Sequence, residues 1–168
     1  EEEAIEGLRF ADRPDRRLEL SEAGGVTILN DAYNANPASM MAALDTLASL
    51  PTSGRRIAVL GDMLELGPAS ERLHREIGEY AARSGLDALV CVGRQGQVIA
   101  ESCRRTRGHP RSIRHYPDRD AARRGLSRIV RPGDLVLFKA SRGLGLDRLA
   151  VAVAERAGAT PQLRLAAG

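Results

Sequence analysis

The stretch Val26-Thr-Ile-Leu-Asn-Asp-Ala-Tyr-Asn-Ala-Asn-Pro37, running on into Ala38-Ser-Met-Met-Ala-Ala-Leu44, decides how the rest of the chain is read. Val26 to Leu29 is a short β-branched and aliphatic run behind the Gly24-Gly25 turn signal, so it reads as a buried strand. Asn30 and Asp31 end that strand in polar groups. Asn36 is a good helix N-cap, and Pro37 suits the first helical position, where its missing N–H is not needed. Met40, Ala43, Leu44 and Leu47 then fall on one helical face. The unit is strand, polar loop, helix start, the arrangement in which α/β proteins place phosphate and nucleotide chemistry. Any βα unit has a polar connection, but Asp31, Tyr33, Asn34 and Asn36 within six residues are more than a plain connector needs.

Working outward, the pattern repeats. Leu18 to Leu20 is a strand that turns at Gly24-Gly25 into Val26 onward, so this first pair reads as antiparallel. Ile57–Leu60, Ala88–Val92, Ser112–Tyr116 and Leu135–Phe138 are further strands. Helices are predicted over Ser70 to Ser84, through Val98, Ile99 and Cys103, through Ala122, Leu126 and Ile129, and through Leu146, Leu149, Ala150 and Val153. Alternating β and α with continuously apolar strands predicts an α/β, Rossmann-like fold. Its sheet has about six strands, mostly parallel, with helices on both faces and the first strand antiparallel. The domain expectation is residues 18–158. Residues 1–17 hold a short acidic helix and a polar linker around Pro14, and residues 159–168 are a tail without periodicity.

Composition bounds the function. Hydrophobic residues at 43% and charged residues at 28% are ordinary for a globular domain, and 168 residues suffice for one substantial core. Aromatics are only 3%, so the core must be aliphatic. A net charge of +3, with arginines scattered and not interleaved with aromatics, argues against nucleic-acid binding. Cys91 reads as a small buried hydrophobe and Cys103 lies on an Arg-rich helix; neither has metal-ligand spacing, and no metal site is expected. No apolar run approaches membrane-spanning length, no signal peptide is visible, and a reducing cytoplasm is the consistent compartment.

In a parallel sheet the ligand site lies beyond the carboxyl ends of the strands. Those ends are Asn30-Asp31, Gly61-Asp62-Met63, Gly93-Arg94 and Lys139-Ala140-Ser141-Arg142. Carboxylate and amides from the first, and amine, hydroxyl and guanidinium from the last, suit a ligand with hydroxyls and an anionic group. They do not form a complete catalytic centre. No G-x-x-x-x-G-K-[ST] occurs, so a phosphate cradle is absent from these residues. Gly143-Leu-Gly145 begins like a dinucleotide fingerprint but meets Arg148 at the third glycine position. A phosphoacceptor receiver would need an Asp where Val92-Gly93 stands. For His74, His109 and His115, packing outweighs a general-base role, and Glu65 reads as an N-cap or loop-ordering carboxylate.

NDAYNANPASM closely resembles the DxYNANPxSM signature of the Mur ligases, in the branch that adds D-alanyl-D-alanine to the peptidoglycan precursor. LGDMLELG at Leu60 to Gly67, His74 in the following helix, and FKASRG at Phe138 to Gly143 match in the same order, over roughly residues 15 to 155. The resemblance implies the C-terminal domain of such a ligase, with residues 1–17 the end of a central ATP-binding domain and the chain a truncated piece. In that family ATP phosphorylates the carboxylate of a UDP-N-acetylmuramoyl peptide and an incoming amine attacks the acyl phosphate, with ATP and Mg2+ held mainly by upstream domains. Carried over by position, Arg17 and Asp31 contact the nucleotide, Asp31 at the ribose, and Tyr33, Asn34 and Asn36 line its side of the cleft. Lys139, Ser141 and Arg142, with Asp62, face the D-alanyl-D-alanine. Ala140 departs from the family's usual Gly, where an added methyl would restrict approach to the dipeptide, and Ala38 from its common Asp. The competing readings are the equivalent domain of a sibling Mur ligase and a non-catalytic α/β module that binds a nucleotide or a protein.

Overall fold

The computed structural model describes residues 18–158. The short helix and linker expected over residues 1–17, Arg17 included, and the tail at 159–168 lie outside the described residues. The elements are β1 (Glu19–Ala23), β2 (Val26–Asn30), α1 (Pro37–Ser49), β3 (Arg56–Gly61), α2 (Ser70–Ala82), β4 (Ala88–Val92), α3 (Arg94–Arg105), β5 (Ser112–Tyr116), α4 (Arg119–Ile129), β6 (Leu135–Lys139) and α5 (Leu146–Arg156). Short 3₁₀ turns at Gly67–Ala69 and Arg142–Leu144 precede α2 and α5.

The six strands form one sheet in the order β1-β2-β6-β3-β4-β5. β1 pairs antiparallel with β2, and the other neighbours are parallel, as the sequence predicts. Gly24 and Gly25 make the hairpin turn at φ +54 and +80, a conformation that costs a Cβ-bearing residue free energy.

Strand alternation sorts the core into two layers. Leu29, Ala58, Leu60, Leu89, Cys91, Leu135 and Leu137 face α1, α2 and α3, whose Met40, Leu44, Leu47, Ile77, Ile99 and Cys103 close that side. Ile28, Ile57, Val59, Val90, Val136 and Phe138 face α4 and α5 through Leu126, Leu146, Leu149 and Val153. Each such Leu or Ile, fully buried, contributes about 1.5–3 kcal/mol. Burial on both faces is why β3, β4 and β6 read as unbroken apolar runs. Among the described residues no helix is long and apolar enough to cross a membrane.

α1 starts where its sequence says. Asn36 Oδ1 accepts from Ser39 N at 2.8 Å and Ser39 Oγ accepts from Asn36 N at 3.0 Å, a reciprocal capping box, with Pro37 at the first turn. This fixes the loop 31–36 between the end of β2 and a rigid helix start.

Candidate functional site

The parallel strands bring the loops after β2, β3 and β6 to one edge of the sheet. β6 lies between β2 and β3, so residues 31–36 and 140–145 are neighbours. Asp31 N–H donates to Phe138 O at 2.9 Å, carrying the ladder one residue beyond β2. Below the loop surface, the Lys139 ammonium lies 2.9 Å from Asp31 Oδ2 and donates to Asn34 O at 2.7 Å. Both residues are buried, Lys139 at 1% and Asp31 at 6% exposure. A charge taken that far from water needs a partner and further hydrogen bonds, and Lys139 has both, in the Asp31 carboxylate and Asn34 O.

Above that pair the chemistry is open. Tyr33 is 49% exposed, and the Arg142 guanidinium carbon sits 5.4 Å from its ring centroid, within cation–π range. Asn34 is exposed as well, with its Oδ1 accepting from Ala35 N at 2.8 Å. Asn36 is also exposed, its side-chain oxygen engaged in the cap of α1. A groove of about 610 Å³ opens beside Tyr33 and Arg142, between the β1–β2 sheet face and α5.

The loop after β3 is held from two sides. Ser141 N–H donates to Asp62 O at 3.0 Å, and Ser141 Oγ accepts from Leu64 N at 2.9 Å. From the other side His74, fully buried, accepts from Met63 N at 2.9 Å through Nε2. That acceptor role puts the ring proton on Nδ1, which donates to Ser70 O at 2.6 Å. The imidazole is therefore a neutral strut between helix and loop, the packing role expected of it.

Lys139, expected to face the dipeptide, and Asp31, expected to hold a ribose, are buried and lie against each other. Ser141 spends its hydroxyl oxygen on Leu64 and is 5% exposed. Asp62 turns away from β6: its Oδ1 accepts from Gly96 N at 2.9 Å, serving the uncapped start of α3. Gly93, at φ +98, makes that possible, since a Cβ there would stand 2.7 Å from the same carboxylate. The Ala140 methyl does not approach the ligand loops. It is fully buried in the α4–α5 layer, and a Cβ on Gly61 would lie 2.8 Å from it. Glu65 caps nothing: it is exposed, at φ +62, and the ends of α2 and of the turn before it show no side-chain cap.

Sequence reasoning missed the groove wall on α5, with Asp147, Arg148 and Val151. The exposed Val151 within an otherwise amphipathic helix was the available signal. Among the described residues no group of three or more His, Cys, Asp or Glu side chains could hold a metal ion. Burial pushes the Cys103 thiol up to about 11 and drives Cys91 further still, so neither is a thiolate nucleophile.

With this geometry in place, comparison with known proteins is specific. The profile of the family described as Mur ligase, glutamate ligase domain, matches residues 16–142. The UDP-N-acetylmuramoyl-tripeptide–D-alanyl-D-alanine ligase of Bacillus subtilis (strain 168) is 38% identical over 149 residues, covering 88% of this chain and 32% of that protein. The crystal structure of MurF ligase from Thermotoga maritima in complex with ADP superposes with a TM-score of 0.70 at 28% identity, covering 88% of this chain and 32% of that one. MurF from Acinetobacter baumannii gives 0.74 at 27% identity, with 90% and 32% covered. The chain thus spans about a third of the length of the relatives it matches. The fold, the order of its motif loops and the profile match agree: this chain belongs to the Mur ligase family, as its C-terminal, glutamate ligase domain.

Proposed function

We propose that residues 18–158 are the C-terminal domain of an ATP-dependent ligase that joins D-alanyl-D-alanine to UDP-N-acetylmuramoyl-tripeptide in peptidoglycan precursor synthesis. Residues 1–17 then belong to the end of an upstream nucleotide-binding domain and its linker. The observation that carries this is the meeting of two motif loops, NDAYNANP and KASRG, on adjacent strands with Tyr33 against Arg142. The similarity to ligases of that name supports it.

In this reading the carboxylate of the tripeptide is first converted to an acyl phosphate by ATP. The dipeptide amine then attacks the carbonyl and phosphate leaves. The residues described here do not fit the triphosphate or Mg2+: the sequence has no phosphate cradle and the described residues no metal cluster. Those groups fall to the rest of the ligase. What this chain contributes is binding and orientation. Tyr33, Asn34 and Asn36 line the nucleotide side, and Arg142 offers a planar fork of donors that matches a carboxylate. Asp31, Lys139, Ser141 and Asp62 hold the loops in place beneath them. A cytoplasmic location belongs to the same proposal.

The test is ADP release by the full-length ligase with UDP-N-acetylmuramoyl-tripeptide and a panel of amines. Turnover that requires D-alanyl-D-alanine is expected. Turnover with a single amino acid and none with the dipeptide would make this a sibling ligase. The chain by itself is expected not to hydrolyse ATP, and ATPase activity lost on mutating its own residues would overturn that.

A further inference from the structure

A second groove, of about 680 Å³, opens at the opposite end of the sheet from the loops after β2 and β6. It runs between α4 and α5 and is bounded by Gly24 of the β1–β2 turn and Pro132 ahead of β6. Four arginines line it: Arg123 and Arg124 from α4, Arg131 from the segment that follows, and Arg156 from the last turn of α5. All four are exposed, and Glu155 is the one carboxylate among the described lining residues. None of the four forms an ion pair among the described residues, whereas Arg55, Arg72 and Arg75 each hold a carboxylate at 2.7, 2.8 and 2.6 Å. A basic residue in a helix's last turn offsets the helix dipole, which accounts for Arg156. Arg123 and Arg124 stand in the middle of α4, where that account does not reach. Like charges gathered in a cleft focus its potential and draw in an anion. A guanidinium meets phosphate oxygens with two parallel donors. Between the arginines the lining is apolar, with Val26, Leu126, Val130 and Val153, and the volume falls in the range of small-ligand sites.

We propose that this groove binds a phosphate ester with an apolar part. The phosphate engages the arginines of α4 and α5, and the apolar part lies on the aliphatic lining between them. A soluble phosphate ester and a phospholipid headgroup both present that chemistry, and the experiment separates them. The inference does not depend on the ligase reading, since it rests on residues at the other end of the sheet.

Titration of the 168-residue chain with phenyl phosphate, followed through the amide NMR shifts of the residues lining the groove, tests it. Phenyl phosphate should bind there more tightly than inorganic phosphate, because only the ester offers an apolar part. Arg123→Glu combined with Arg124→Glu should weaken binding by roughly tenfold to a hundredfold. Arg156→Gln, on the other wall, should weaken it as well. Arg107→Glu combined with Arg111→Glu makes the same change in net charge outside the groove, between α3 and β5, and should leave binding nearly unchanged. All of these side chains are exposed, so the variants should melt with the wild type. Co-sedimentation with phosphatidylcholine vesicles, with and without phosphatidylglycerol, separates the two sources. Retention that needs phosphatidylglycerol and is lost in the α4 double variant, without phenyl phosphate binding, assigns the phosphate to a lipid headgroup. Phenyl phosphate binding without retention assigns it to a soluble ester. The proposal fails if neither probe binds, if inorganic phosphate binds as well as the ester, or if the two double variants weaken binding equally.

Discussion

The Lys139 ammonium lies 2.9 Å from the Asp31 carboxylate, with the two side chains 1% and 7% exposed. The pair joins the ends of β6 and β2, and through Asn34 O it also fixes the crest of the intervening loop. Lys139 is the only lysine among 168 residues that include two dozen arginines. Its ammonium is a compact point charge with rotatable donors, which lets it meet a carboxylate and a backbone carbonyl in one narrow site.

Removing one partner strands a buried charge. Lys139→Met and Asp31→Leu should each cost about 3–5 kcal/mol in urea unfolding, and the double variant less than either. An additive double variant would show that the pair is not coupled. Peptide-mapped labelling with an amine reagent should leave Lys139 unmodified until the protein unfolds.

His74 gives a sharper structural readout. Nitrogen-15 NMR should find the neutral ring protonated at Nδ1. His74→Phe keeps the bulk but orphans Met63 N–H, for an expected loss of about 1–3 kcal/mol and faster exchange of that amide. An Nε2-protonated ring would contradict the strut described above.

Asn36 should matter first to the helix. Asn36→Ala removes the acceptor for Ser39 N and should cost about 1 kcal/mol, whereas Asn36→Asp or Asn36→Ser should retain most of it. Thermal unfolding of the three variants decides the point.

The thiols set an alkaline limit. Cys103 holds its proton to about 11 in the folded state because burial penalises the thiolate, against 9.0 as its ordinary value. The folded state therefore binds the proton more tightly. Its contribution is complete below pH 9 and is lost as pH rises from 9 through 11. Melting temperatures should fall over that window, and less steeply in Cys103→Ala. Thiol reagents at pH 8 should leave Cys91 and Cys103 unmodified in the folded protein.

Much of this was readable from the sequence because its cause is local. Continuous apolar runs marked the doubly covered strands, and Asn36-Pro37 announced its own cap. The direction of the Ala140 methyl was also readable, since residues two apart share a sheet face and Phe138 points into the core. The burial of Lys139 was not, because its partners Asp31 and Asn34 lie more than a hundred residues earlier. Nor was Asp62, whose partner Gly96 depends on how β3 and β4 align. A polar residue at a strand end looks the same in one dimension whether it meets a ligand or a neighbouring loop.

The strand order has a consequence for assembly. β6 comes last in the chain yet fills the gap between β2 and β3. Without it, the hairpin β1–β2 and the trio β3-β4-β5 share no backbone ladder, and each presents a raw inner edge. Closing that gap joins residues separated by about a hundred positions, an entropically slow, long-range event. Lys139 and Ser141 arrive with the same strand and fasten the loops after β2 and β3 on either side of it. The domain thus acquires its finished sheet and its ordered binding loops in one step, so that a chain caught before that step on the ribosome has neither.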